Sequence, residues 1–142
     1  KSVMVGRYKI TEKVYGLSHY LSGQNALDEI LLKTENDNLD IIFAGNIAPN
    51  PAELLETEYF EQPLQYGKEH YDYIFVDAAP LGSVIDAAII AKQCDGSIVV
   101  VEEGAVSYRA VQHIKNQLDK TGCRILGVIL NKVHLEKRSY YY

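Results

Sequence analysis

The 142-residue chain is 47% hydrophobic and 23% charged, the balance of a globular protein with one domain's worth of core and unlike that of a disordered chain. Its net charge of −5 gives no electrostatic reason to expect nucleic-acid binding, and no apolar run approaches the ~18 residues of a membrane-spanning helix. Cys94 and Cys123 stand far apart with no CxxC or Cys/His spacing, the pattern of reduced core thiols in a cytosolic protein rather than of a disulfide or zinc framework.

Residues 1–24 are basic and turn-rich at first, and a short helix is expected around Leu17–Leu21, between Gly16 and Gly23. The chain starts at Lys1 without an initiator Met and reads as a piece of a longer polypeptide. From Ala26 to Leu32, Leu27, Ile30 and Leu31 fall at i, i+3 and i+4, one helical face. The polar run Glu35–Asn38 then reads as a solvated turn. Leu39–Ala44 (LDIIFA) is a short apolar run with Asn38 before it and Gly45 after it, so a buried strand is expected. Asn50, Pro51 and Glu53 spell a helix start: Asn caps, Pro suits the first turn, and Glu reaches back to close a capping-box variant. A further helix is expected from about Tyr59 to His70, bent at Pro63.

The stretch Tyr71–Lys92 organises the rest. Ile74, Phe75 and Val76 form an apolar strand core that runs into Asp77, then through Pro80 and Gly82 into a helix whose apolar face is Val84, Ile85, Ala88 and Ile89. Ser83 is placed to cap it. In open α/β sheets ligands collect at the carboxyl ends of strands, and Mg²⁺ takes one or two carboxylates beside substrate phosphates. Asp77 suits a metal-bound phosphate on those grounds, and suits a turn or helix cap equally well. Asp86, in the first helical turn, reads either as a carboxylate placed by the macrodipole or as a group near the phosphates.

Gly96–Glu102 is the next strand, its Ile98–Val101 run lacking alternation as when both faces are covered. Ser107 opens a helix to about Lys120, with Val106, Ala110, Val111, Ile114 and Leu118 inward and Arg109, His113, Lys115 and Lys120 outward. Gly122 stops it, and Arg124–Leu130 is a last buried strand ending at Asn131 and Lys132. Strands alternating with helices give βα units, hence an α/β fold with a mostly parallel sheet and helices on both faces. No G-x-x-x-x-G-K-[ST] is present, since Gly67-Lys68 is followed by Glu69, and neither GxGxxG nor G-x-S-x-G occurs.

The order of LDIIFAGNIAPNPAELL, YDYIFVDAAPLGSVIDAAIIAK, CDGSIVVVE and GVILNKV, closing on RSYYY, resembles the bacterial tyrosine kinases of capsular and exopolysaccharide synthesis, which share the fold of the MinD and ParA P-loop ATPases. The resemblance covers almost the whole chain, including GLSHYLSG at Gly16–Gly23. In that family a Gly-rich nucleotide loop and a D-x-D-x-R motif precede the part matched here, so the resemblance implies a chain truncated at its N-terminus. Residues 1–135 then form the C-terminal part of a P-loop kinase domain, and residues 136–142 begin a tyrosine-rich tail.

By position, the resemblance makes Asp77 the catalytic Walker B aspartate that holds Mg²⁺ through water, and Asn131 the residue that reads an adenine edge of ATP. It makes the Pro49-Asn50-Pro51 turn with Glu53 a loop beside the site. Tyr140, Tyr141 and Tyr142 become phosphoacceptors for a neighbouring subunit. Ala78 and Ala79 depart from the family's usual Thr-Pro and remove one hydroxyl near the metal. The implied activity is ATP-dependent tyrosine autophosphorylation. The implied partners are sibling subunits in a ring-like homo-oligomer and a transmembrane adaptor or polysaccharide co-polymerase, with no nucleic acid. The implied location is cytoplasmic, at the inner face of the membrane. A MinD/ParA-like positioning ATPase and a non-catalytic interaction fragment are the alternatives. The 142 residues alone are expected to be inactive and to leave strand edges that recruit other chains.

Overall fold

Two glycines fix where the first helix sits. A Cβ on Gly16 would lie 2.4 Å from the Phe43 carbonyl oxygen and 2.5 Å from the Gly45 nitrogen, so two backbone segments touch there as only glycine permits. The computed structural model describes residues 14–47, 50–78 and 84–133, in two units that divide between Phe75 and Val76.

In the first unit, α1 (Leu17–Leu21) follows Gly16. Its first-turn amides have no partner within the helix, and the chain leaving β2 supplies two: Leu17 N–H donates to the Phe43 carbonyl at 2.7 Å and Ser18 N–H to that of Ala44 at 3.0 Å. The left-handed Gly23 lies just past the helix's end. Helix α2 (Leu27–Ile30) is shorter than the Ala26–Leu32 expected, because Leu31 turns extended and Leu32–Lys33 becomes β1. That strand pairs antiparallel with β2 (Asp40–Ile41), Leu32 opposite Ile41 and Lys33 opposite Asp40. Short apolar runs satisfy helix and strand patterns alike, and here the Thr34–Leu39 turn decides: Thr34 Oγ1 donates to the Leu39 carbonyl at 2.7 Å. The polar run Glu35–Asn38 is the solvated turn expected. Of the anticipated strand Leu39–Ala44 only Asp40–Ile41 pairs, and only Phe43 is buried.

Helix α3 (Pro51–Leu55) has Pro51 in its first turn, as expected, but the capping box is absent. The Asn50 side chain donates instead to the Glu53 carboxylate at 2.8 Å, so the two polar groups satisfy each other rather than the backbone. Helix α4 (Glu58–His70) carries Pro63 inside it and buries Phe60. Tyr20 of α1 ties to it, donating to Gln62 Oε1 at 2.7 Å.

In the second unit, α5 (Val84–Lys92), β3 (Ser97–Glu102), α6 (Tyr108–Asp119) and β4 (Ile125–Asn131) follow in order. Ser107 caps α6, its Oγ accepting from Ala110 N–H at 3.3 Å. Strands β3 and β4 pair in parallel, Val99 beside Val128 and Val101 beside Leu130, which is the βα pattern read from the sequence. The core is Ala91, Val99, Ile114, Leu118 and Cys123, so both helices press on one face of β3. Neither strand is covered on both faces, contrary to expectation: Ile98, Val100, Leu126 and Ile129 are exposed. Paired residues of parallel strands share a face, yet Val99 is 7% exposed and its neighbour Val128 60%. Of β4, Ile125 alone among the described residues packs against this core, and Val106, expected inward, is exposed too. No helix among the described residues is long and apolar enough to cross a membrane.

Candidate functional site

Asp77 follows the apolar residues Ile74, Phe75 and Val76, where a strand was expected. The segment Tyr73–Ala78 forms no ladder among the described residues, and the strand core expected to be buried is open, Phe75 at 88% exposure. A strand is buried by neighbours on its edges and cover on its faces; among the described residues no strand pairs with this segment, and Ile74 faces α4 at Gly67. Asp77 is exposed and has no hydrogen-bond or ion-pair partner among them. The turn residues Pro80 and Gly82 and the cap Ser83 lie outside the described residues.

Asn131 ends β4, in register with Glu102 at the end of β3. Its Oδ1 accepts from the Lys132 N–H at 2.9 Å, and its carbonyl from Glu103 N–H at 3.0 Å. That use of one lone pair leaves the amide's two N–H donors and a second lone pair for a ligand, the donor and acceptor set an adenine edge requires. Lys132 adopts a left-handed φ of 55°, and its Nζ lies 2.7 Å from Glu102 Oε2, fastening the carboxyl ends of the two strands. Both partners are exposed, so the pair positions more than it stabilises.

Asp77 and Asn131 belong to the same unit, and Asn131 stands at the carboxyl end of β4. No hydrogen bond joins them. Asn50 and Glu53 lie in the first unit, while Pro49 and the acceptor candidates Tyr140, Tyr141 and Tyr142 lie outside the described residues. Among the described residues no three His, Cys, Asp or Glu side chains cluster as a metal cage. A lone carboxylate without a competing protein partner fits Mg²⁺, which keeps several waters and takes its other ligands from phosphates.

Two polar clusters escaped sequence reasoning. In one, Asp40 takes Lys33 Nζ at 2.6 Å and the Tyr71 hydroxyl; the aspartate side chain is 7% exposed and the lysine 78%. Hydrogen bonds from Lys33 and then Tyr71 hold the Asp40 carboxyl below its usual range. The bond to Asp40, reinforced by desolvation, pushes the Tyr71 hydroxyl up to about 12. In the other, buried His19 accepts the Gly16 N–H on Nδ1 at 3.0 Å and faces the Asn46 amide with Nε2. The only sequence signal for either was the pair Gly16 and Gly45, which frames the crossing.

No protein-family model matches the chain. It is 43% identical over 139 residues to the tyrosine-protein kinase CpsD of Streptococcus pneumoniae, covering 98% of this chain and 61% of that protein. To the tyrosine-protein kinase etk of Escherichia coli K12 it is 34% identical over 119 residues, 84% of this chain and 16% of the relative. The chain thus spans about three fifths of the CpsD relative's length. Among solved structures, the kinase domain of Escherichia coli ETK superposes with a TM-score of 0.83 at 30% identity, covering 100% of this chain and 56% of that one. The VpsO kinase domain gives 0.82, also at 30% identity, over 94% of this chain and 66% of that one.

Proposed function

We propose that the chain belongs to the bacterial tyrosine kinases, to whose members CpsD and Etk it is similar along most of its length, and that the full polypeptide is an ATP-dependent protein-tyrosine autokinase of capsular and exopolysaccharide synthesis. The observation that carries this reading is the similarity to CpsD, 43% identical over 98% of the chain.

Asp77 is the residue to hold Mg²⁺, through water, and Asn131 the one to meet the adenine edge of ATP. MgATP supplies the transferable phosphoryl group and the charge that neutralises its oxygens; in such reactions positioning and electrostatics carry most of the catalysis. Tyr140, Tyr141 and Tyr142 are the acceptors, presented to a neighbouring subunit. Each phosphate adds about −1.5 to −2 charges at neutral pH, so a tail that docks unmodified and departs when modified makes phosphorylation a switch for a ring-like self-assembly. The protein works at the cytoplasmic face of the membrane through a fused or separate transmembrane polysaccharide co-polymerase.

The test uses the full-length polypeptide. Incubation with MgATP should yield phosphotyrosine at Tyr140–Tyr142 by mass spectrometry, and Asp77→Asn should slow its appearance on the order of 100-fold, as loss of a transition-state charge stabiliser does. Undiminished phosphotyrosine in Asp77→Asn removes Asp77 from the mechanism. No phosphotyrosine in the wild-type protein removes the kinase reading.

A further inference from the structure

Lys132 is the one residue other than glycine with a positive φ among the described residues, at 55°. L side chains rarely adopt that conformation, lysine less readily than asparagine, and it persists where the surroundings impose it. Lys132 follows Asn131, the last residue of β4, and both ends of the peptide unit joining the two are engaged. The carbonyl accepts from Glu103 N–H at 3.0 Å. The N–H donates to Asn131 Oδ1 at 2.9 Å.

The anchor on the other strand is as well defined. Glu102 lies opposite Asn131 in the parallel ladder and opens a turn in which Ala105 N–H donates to the Glu102 carbonyl at 3.3 Å, with Gly104 left-handed at 72°. Its carboxylate takes Lys132 Nζ at 2.7 Å. The two side chains are 45% and 63% exposed, so water screens the pair and its contribution is to direction rather than to stability. The left-handed turn carries the lysine stem back across the ladder, and Glu102 holds it there.

The consequence falls on the Asn131 amide. A backbone N–H can only donate, so the amide atom facing it is the oxygen. The amide therefore presents a fixed order, an oxygen with one lone pair left and then two N–H donors. Adenine offers its N6 donor beside a ring-nitrogen acceptor and matches that order, whereas guanine carries the acceptor O6 in place of N6. Oxygen would then face oxygen. An amide free to flip turns its N–H toward O6 and loses the distinction.

We propose that Lys132 and Glu102 are specificity-determining positioning residues: the left-handed Lys132, held by Glu102, stops the Asn131 amide from flipping and so selects adenine over guanine. The inference rests on the reading of Asn131 as the adenine contact. It requires only β3, β4 and the turns that follow them, all within the second unit.

The test uses the full-length protein and calorimetric Kd values for MgATP and MgGTP. Wild type should bind MgATP at least about ten-fold more tightly, since a site built to hydrogen-bond one group rejects an analogue that leaves it unpaired; equal affinities overturn the proposal. Lys132→Val, whose β-branch disfavours the left-handed region, should bring the two Kd values within about two-fold of each other. Lys132→Asn lacks the ion pair but takes that conformation readily, and should restore most of the preference. Glu102→Ala should fall between, and full wild-type discrimination there overturns the part given to Glu102. A merely structural role would weaken both nucleotides alike, and an unchanged ratio in Lys132→Val overturns the proposal. Asn131→Ala separates the two readings. If it leaves the ratio at the wild-type value, the adenine contact is elsewhere and the proposal falls with it. If it abolishes the preference while Lys132→Val keeps it, the adenine contact stands and the lock alone is refuted. Without nucleotide, hydrogen exchange at the backbone amide of residue 132 should quicken about ten-fold from wild type to Lys132→Val as the local bonds open; equal rates overturn the lock directly.

Discussion

A methyl group on Gly16 would press into backbone, whereas one on Gly67 would meet only the end of a side chain. At Gly16 the obstacles are the Phe43 carbonyl and the Gly45 nitrogen, at 2.4 and 2.5 Å, and neither moves without opening the α1 docking bonds. At Gly67 the obstacle is Ile74 Cδ1 at 2.6 Å, which another rotamer removes, and alanine is the better residue inside a helix by ~0.5–1 kcal/mol. Gly16→Ala should therefore destabilise the intact protein by about 1–3 kcal/mol, the usual cost of overpacking, while Gly67→Ala stays within about 1 kcal/mol of wild type. Urea midpoints of the two variants decide it, and equal midpoints would refute the contrast. The sequence marked Gly16 as the boundary of a helix, which it is. The close approach of a segment some thirty residues away leaves no local trace, and for the same reason His19 went unread: its partners are a backbone amide and a loop amide, neither with a motif.

The β1–β2 hairpin is an element that local sequence misassigned and three side chains hold. Leu27, Ile30 and Leu31 satisfied a helical face expected to run to Leu32, but the polar turn Thr34–Leu39 and the Lys33–Asp40–Tyr71 cluster favour the antiparallel pair. The cluster makes hairpin stability depend on pH from both sides. Asp40 is held below its ordinary range, so the unfolded chain takes up its proton first, and the stabilisation is lost as pH falls below the normal aspartate range of about 4. Tyr71 is raised to about 12, so the unfolded chain ionises first, and its contribution is complete below about pH 10 and fades as pH rises toward 12. Urea midpoints of the intact protein should accordingly hold between these limits and decline on each side. In Tyr71→Phe the alkaline decline should be shallower than in wild type; an identical slope from pH 10 to 12 would show that this hydroxyl is not held by Asp40 in solution.

At the scale of the whole chain, the order of strands and helices from Val84 onward was legible because α5, β3, α6 and β4 carry long periodic or unbroken apolar runs with Ser107 and Gly122 at their ends. Burial was not legible in the same way. The composition of Tyr73–Val76, Ile98–Val101 and Arg124–Leu130 demands cover on two faces, and in the described residues Phe75, Val100, Leu126, Val128 and Leu130 stand open. Exposed apolar strand residues of this kind mark association surfaces. The site is divided likewise: Asp77 and Asn131 offer one carboxylate and one amide, and the 142 residues contain no Gly-rich cradle for phosphate. One exposed carboxylate and one exposed amide do not hold MgATP against water. The segment 1–142 produced alone should therefore self-associate at micromolar concentration by light scattering, and by calorimetry bind MgATP no more tightly than ~1 mM, about −4 kcal/mol. A stable monomer would mean that these apolar strands find cover within the segment. Micromolar MgATP binding would mean that a phosphate cradle exists within residues 1–142 that no motif marks.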